Sequence, residues 1–395
     1  IERVQNAYEL ITGKSGKPFL GVVIEYAEHA NESRTLELVP KRVEGRTPNV
    51  SEGRLTVGLL GAGTFATGIL LPALKTSSHT KLVGVCTATG PHARHAAQKF
   101  GFDYCTTDEA RILADREINT VVVATRHHLH AEQVLAAVRE GKHVFCEKPL
   151  CLSEQQLGSI VRAYRRSSSV KDTALIVGFN RRFAPMTTQM KAFFASITEP
   201  LALHYRVNAG FLPADHWIND PEQGGGRILG EVCHFVDLLS FLTDSRITQV
   251  EARPLGNAGR YSGDNLIISL RFSNGSEGTI TYLANGDRAY SKERLEIFGG
   301  GMTAVLDDFR RLDLVRNGRT RTIRSRWRQN KGHNAEWAAF VDSINHHKAA
   351  VPFEDIVAST LATLRINESA KIGKPLAVDA AAFIQSALQG PNSNE

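Results

Sequence analysis

The sequence predicts an α/β chain, a doubly wound parallel sheet followed by a β-rich second half. Three observations predict it. Apolar strand-like runs alternate with amphipathic helical runs over residues 55–178, the order that builds a parallel sheet covered on both faces. A glycine turn, Gly61-Ala62-Gly63-Thr64-Phe65-Ala66, lies between the first such strand and the first such helix. Beyond residue 264 the runs shorten and are separated by Asn-Gly and Gly-Gly-Gly turns.

Residues 55–60 (LTVGLL) are a buried strand and 64–75 have helical spacing. In the turn between them the first glycine permits the tight bend and the second lets backbone approach a pyrophosphate. Ala66 takes the small third position where helix and strand pack closely. The phosphate would sit on the helix N-terminus. Residues 81–87 form a second strand, 91–101 a helix, 119–125 a strand, and 128–141 a helix with Leu129, Val134, Leu135 and Val138 as its apolar stripe. Residues 143–146 and 174–178 are further strands. Ligands of such sheets bind beyond the carboxyl ends of the strands, where Gly61, Thr125 and Lys148 fall.

In the second half, residues 227–242 form a helix with Ile228, Val232, Phe235, Leu238, Leu239 and Leu242 on its buried face. Residues 265–272, 277–283, 294–298 and 302–306 are strands. The arginine-rich stretch 310–328 alternates apolar residues with Arg around Asn317-Gly318, a hairpin pattern rather than a nucleic-acid patch. An anionic sugar, a nucleotide-sugar or an acidic partner surface would also suit it. Residues 334–347 and 353–372 are closing helices, the second stopped by Gly373. The segment 381–395 is expected to be a flexible tail.

Composition fits an enzyme: 395 residues hold two sizeable cores, and the net charge is only +6. Cys86, Cys105, Cys146, Cys151 and Cys233 form no CxxC pair and predict reduced thiols, hence a cytoplasmic protein. No run reaches the ~20 apolar residues of a membrane span, and no signal peptide is recognisable.

Over about residues 54–378 the chain resembles the Gfo/Idh/MocA oxidoreductases. The resemblance rests on Gly61-Ala62-Gly63; on His130, Gly141-Lys142-His143-Val144 and Glu147-Lys148-Pro149-Leu150; on Arg182-Phe183-Ala184-Pro185; and on Gly224-Gly225-Gly226 followed by His234 and Asp237. It implies a Rossmann domain (53–175) and then an α/β domain with a large, mostly antiparallel open sheet (176–380), whose exposed face often mediates homo-oligomerisation. It also implies NAD or NADP and a sugar-like or cyclitol substrate; the residues themselves point to no nucleic acid, membrane or metal. Gly61, Ala62, Gly63, Thr64, Phe65, Thr87, Thr125, His130, Glu147 and Lys148 would face the cofactor. His127, Arg182, Trp217 and His234 would face the substrate.

Removing a hydride from a carbinol carbon requires the hydroxyl proton to leave, so a positioned base is needed; Lys148 and His234 are the candidates. Lysine serves as base only with its pKa lowered from about 10.4; otherwise it polarises the oxygen. Histidine needs no such shift. Two departures stand out. The family commonly has aspartate four residues before the histidine, where this chain has Gly230; Glu231 either orients His234 or replaces that carboxylate, or is a helix-start acid. Where NAD-selective sites place an acid after the second strand, Thr87 stands, with His92 and Arg94 nearby, so NADP is allowed. His216, Asn180 and the run Arg126-His127-His128 complete the candidate pocket, while Arg182 fits an ion-pair role equally. The same fold would also serve an NAD-dependent glycosidase or a non-catalytic dinucleotide and sugar sensor.

A second resemblance lies in residues 7–14 and 21–26, which are similar to the last helix and strand of a zinc-dependent, medium-chain alcohol dehydrogenase. It implies that residues 1–52 are the tail of an upstream enzyme in a fusion, with 27–52 as linker.

Overall fold

A computed structural model describes residues 9–12, 34–39, 54–256, 259–261, 263–325 and 328–390. Most of the stretch resembling an alcohol dehydrogenase tail, and residues 391–395, lie outside these. The first unit is a seven-stranded sheet in the order β1-β4-β3-β2-β5-β6-β7, with β1 Thr35–Glu37, β2 Leu55–Leu60, β3 Thr80–Cys86, β4 Tyr104–Thr106, β5 Thr120–Val123, β6 His143–Cys146 and β7 Leu175–Val177. The strands β2 to β7 pair in parallel and β1 adds antiparallel to β4. β2 is buried at all six positions, as a central parallel strand covered on both faces must be.

Around this sheet lie α1 Leu71–Lys75, α2 Gly90–Phe100, α3 Glu109–Leu113, α4 His127–Arg139 and α5 Glu154–Lys171. The expected helix 64–75 is interrupted by a π turn over Ala66–Leu70. Two features depart from expectation at the edge: β4 and α3 were not foreseen, and the presumed linker contributes β1, whose Thr35 hydroxyl donates to Thr106 Oγ1 at 3.0 Å.

The second unit carries a nine-stranded sheet, order β15-β14-β13-β12-β8-β11-β10-β9-β16. Its strands are β8 Ala202–Asn208, β9 Ile247–Pro254, β10 Leu266–Phe272, β11 Glu277–Leu283, β12 Glu293–Gly299, β13 Met302–Asp307, β14 Arg311–Arg316, β15 Arg319–Arg324 and β16 Leu376–Ala377. All pairs are antiparallel except β8 with β11. The arginine-rich stretch is the expected hairpin, turning at Asn317 and Gly318 with φ of 52° and 69°, a conformation that Asn-Gly adopts at low cost.

One face of this sheet is covered by α6 Pro185–Phe194, α7 Cys233–Thr243 and α9 Phe353–Ile372; α8 His333–Asn345 returns to the first unit, where the Trp337 indole donates to Thr80 Oγ1 at 3.0 Å. The other face is open, and Ile267 and Phe298 stand 45% and 40% exposed on it. The segment expected to be a flexible tail instead forms α10 Ala380–Gln389, capped by Asp379 and packed on α5, because Ile384 and Ala387 give it a buried face. All five cysteines are buried and unpaired. Among the described residues no helix is long and apolar enough to cross a membrane.

Candidate active site

The glycine turn leaves β2 at the carboxyl edge of the first sheet. Gly61 has φ 89°, and an ideal Cβ there would stand 2.5 Å from Ala124 O, so only glycine lets the ends of β2 and β5 come this close. A Cβ on Gly63 would point into open space. Ala62 is half-buried and Gly63, Thr64 and Phe65 are exposed. This exposed backbone, clear of side chains and opening a helix, fits a dinucleotide pyrophosphate. After β3 the Thr87 hydroxyl donates to Thr89 O at 2.7 Å, and His92 and Arg94 are exposed on the first turns of α2. After β5 the Thr125 hydroxyl donates to Gln133 Oε1 at 2.6 Å.

His130, expected at the cofactor, is instead a buried fastening. Its Nδ1 lies 2.7 Å from Pro149 O, tying the Glu147-Lys148-Pro149 turn to the first turn of α4, while its Nε2 stands 3.2 Å from Thr125 O. A neutral imidazole carries one N–H, which the shorter contact assigns to Nδ1. Glu147 is also inside: a Cβ on Gly178 would come within 3.0 Å of its carboxylate, and burial pushes its pKa up to about 7 against the pull of Lys148.

Lys148 reaches across to the second unit, where its Nζ donates to Gly230 O at 3.0 Å. Gly230 belongs to a π turn, Ile228–Val232, that runs directly into α7 and its His234. The ammonium is thus bonded to a carbonyl four residues before the imidazole on one helical segment. His234 is 7% exposed and its Nδ1 has no hydrogen-bond partner among the described residues. Burial, then Arg181, Lys148 and His333, hold its pKa well below the ordinary histidine value. It is therefore held as a neutral imidazole.

Glu231 does neither of the things expected of it at His234. Its Oε1 accepts from Lys292 Nζ at 2.8 Å, and its Oε2 accepts from the Tyr282 hydroxyl and from Arg227 at 3.4 Å. Burial alone would raise its pKa, but Lys292, Tyr282 and Arg227 pull it down to about 2. The π turn keeps it from His234, because residues three apart no longer share a face where the helix widens, and leaves it as an acid at the start of the helical segment. Arg182 is likewise structural: it forks onto Asp237 with bonds of 2.9 and 2.5 Å, both side chains buried, so it is closed to substrate. Burial pushes the Asp237 carboxyl up and Arg182 pulls it down; the two-bond geometry is that of an ionised pair.

The vacant carboxylate position has a geometric cause. An ideal Cβ on Gly230 would come 2.8 Å from His127 Cε1. The imidazole fills that space, with Nδ1 2.7 Å from Gly224 O and its ring edge-on to Trp217 at 4.8 Å. Arg126 lies over the other side of Trp217, 5.8 Å from its centroid, and bonds Gln223. His128 N–H donates to Gln223 O at 3.1 Å and His216 caps the short helix at Trp217. The triglycine loop is thereby docked on the start of α4, bringing His127 and Trp217 to the rim of the Lys148–His234 site. Asn180, by contrast, donates to Lys331 O at 2.7 Å behind it. One residue of this neighbourhood was not foreseen: His333, at the start of α8, whose ring lies 5.9 Å from that of Phe65.

A Rossmann sheet with an open glycine turn, joined to a half-open antiparallel sheet that delivers a buried histidine beside a lysine, defines an NAD-binding oxidoreductase. Family models agree: residues 55–173 match the oxidoreductase family with NAD-binding Rossmann fold, and 195–305 match the GFO/IDH/MocA C-terminal domain. Together these span more than half of the chain, which belongs to the Gfo/Idh/MocA family. Myo-inositol 2-dehydrogenase of Thermotoga maritima is 25% identical over 270 residues, 66% of this chain and 78% of that enzyme. The 1,5-anhydro-D-fructose reductase of Ensifer adhaerens is 30% identical over 55% of this chain and 66% of its own length. The solved levoglucosan dehydrogenase complex with NADH and levoglucosan shares the fold, with a TM-score of 0.72 at 23% identity, covering 82% of this chain and 99% of that one.

Proposed function

We propose that this oxidoreductase transfers a hydride between a nicotinamide cofactor and a hydroxyl or carbonyl carbon of a sugar, nucleotide-sugar or cyclitol, with Lys148 and His234 handling the proton. The observation that carries this reading is the Lys148–Gly230 bond of 3.0 Å one turn before a buried, neutral His234. Gly61, Ala62, Gly63, Thr64 and Phe65 would hold the dinucleotide, Thr87 would meet its adenosine ribose, and Thr125 the reacting end. Bound NAD supplies the hydride acceptor. As the carbinol carbon loses its hydride, His234 takes the hydroxyl proton and the Lys148 ammonium holds the oxygen; in reduction the proton returns along the same path. His127 and Trp217 would border the sugar as the aromatic rim of the pocket.

No carboxylate at Thr87 repels a 2′-phosphate, which supports acceptance of NADP as well as NAD. The open sheet face with Ile267 and Phe298 supports a homo-oligomer, which light scattering of Phe298→Glu against the parent protein would test. The likeness of residues 7–14 and 21–26 to an alcohol dehydrogenase tail supports a two-enzyme chain, to be tested by the mass of the protein in its native host. Absorbance at 340 nm with a panel of sugars, uronic acids, inositols and UDP-sugars, with NAD and NADP each supplied, tests the function. Substrate-dependent reduction is expected; release of free sugar from a glycoside without net NADH, or cofactor binding without any turnover, would overturn it.

A further inference from the structure

We infer that His333 is a cofactor-contacting residue: it closes the nicotinamide-ribose end of the dinucleotide site from the second domain and forms, in ring contact with Phe65, one aromatic wall against which that half of the cofactor lies. The inference rests on the dinucleotide reading of the glycine turn and adds a residue that no motif marked.

The first support is location. Phe65 projects from the glycine turn and is 37% exposed, although it is a large apolar side chain at the start of a helix. Its ring meets that of His333, 5.9 Å away and inclined by 56°. His333 also lies within electrostatic reach of both His234 and Lys148. It therefore bridges the pyrophosphate turn and the reacting end, the interval that the nicotinamide ribose must cross. The adenylate half would run the other way, toward Thr87 after β3.

The second support is rigidity, for the segment carrying His333 is fixed at three points. Gly332 has φ 96°, and an ideal Cβ there would stand 2.3 Å from Asn180 O and 2.7 Å from Ala184 N, so only glycine lets the chain pass. Asn180 Nδ2 donates to Lys331 O at 2.7 Å. Lys331 Nζ reaches Glu293 Oε1 at 2.7 Å, and Glu293, 1% exposed, is held in turn by two bonds of 2.8 Å from Arg181 and one of 2.6 Å from the Tyr205 hydroxyl. Trp337, one turn further along α8, anchors the helix to Thr80. A segment held this firmly at the boundary of two domains places the His333 ring where a ligand can meet it without reordering the chain. Burial, then Arg181, Lys331 and Lys148, keep its ring uncharged, with a pKa lowered to about 4; a neutral imidazole offers one donor, one acceptor and a stacking face without adding charge beside the nicotinamide.

The test measures NADH and ADP binding to the full chain by NADH fluorescence, with ADP as competitor. ADP has the adenylate half but neither the second ribose nor the nicotinamide. His333→Ala should weaken NADH about tenfold, the loss of one or two hydrogen bonds and a ring contact, and leave ADP within about twofold. Phe65→Ala, at an exposed position that does not endanger folding, should show the same selective loss. Equal weakening of NADH and ADP, or unchanged NADH binding in both variants, overturns the inference. Failure of the parent protein to bind either nucleotide would instead remove the dinucleotide reading itself.

Discussion

Replacing Gly230 by alanine sets helix propensity against a clash. Gly230 lies in a helical segment with ordinary negative φ, so alanine by itself should stabilise it by up to about 1 kcal/mol. Its Cβ, however, would stand 2.8 Å from His127 Cε1, well inside van der Waals contact. His127 cannot retreat freely, being bonded to Gly224 O at 2.7 Å and packed on Trp217 at 4.8 Å. Overpacking of this kind costs about 1–3 kcal/mol, so Gly230→Ala should be destabilising by roughly 0–2 kcal/mol in the parent protein. In a His127→Ala background the obstacle is gone, and the same substitution should stabilise by up to about 1 kcal/mol. Urea denaturation of the four proteins of this cycle should therefore give a coupling of about 1–3 kcal/mol. Effects that add to within about 0.5 kcal/mol would refute the claim that the imidazole occupies the space of a side chain at position 230.

Asp237→Ala leaves the Arg182 guanidinium buried without its partner and should cost about 3–5 kcal/mol in urea denaturation, whereas Arg182→Leu with Asp237→Leu should cost much less. Thr87→Asp should shift the ratio of NAD to NADP kcat/KM toward NAD by at least about tenfold, since one charge facing a 2′-phosphate is worth more than about 1.4 kcal/mol; an unchanged ratio would place the adenosine ribose elsewhere. Burial lowers the His127 pKa from 6.5 to about 3, so the unfolded chain binds a proton there that the fold does not, and stability falls as pH drops from 6.5 toward 3. His127→Ala should remove about 1.4 kcal/mol per pH unit of that slope, read from urea midpoints between pH 6 and 4.5; parallel profiles would contradict it.

The first domain was legible because a covered parallel strand must be apolar throughout, as in LTVGLL at β2 and TVVV at β5. β4 escaped notice because three residues, Tyr-Cys-Thr, carry no period. In the second sheet β8 reads ALHYRVN, with polar residues on the open face of a central strand, and β9 ends on Pro254; neither announces a strand, although their neighbours with Asn-Gly or triple-glycine turns do. At the site, Lys148 and His234 were found by motif and by the demand for a base. For Glu231 and Arg182 the sequence left a structural and a functional reading open, because a 3.6-residue period does not reveal a π turn and Asp237, the partner of Arg182, is 55 residues away. His333 was invisible: its place is set by Gly332 passing against residues 180–184, which is a property of packing alone.

The most direct test of the account is the pH dependence of kcat/KM for oxidation by the parent protein, Lys148→Met and His234→Asn, with whichever panel sugar is turned over. The account predicts a parent profile that falls on its acid limb below the ordinary histidine range, because burial and the neighbouring cations hold His234 neutral. His234→Asn should lose about 10²–10⁴ of the rate together with that limb, and Lys148→Met should lose rate while keeping it. Retention of the acid limb in His234→Asn, or near-parental rates in both variants, would contradict the assignment of the proton to this pair.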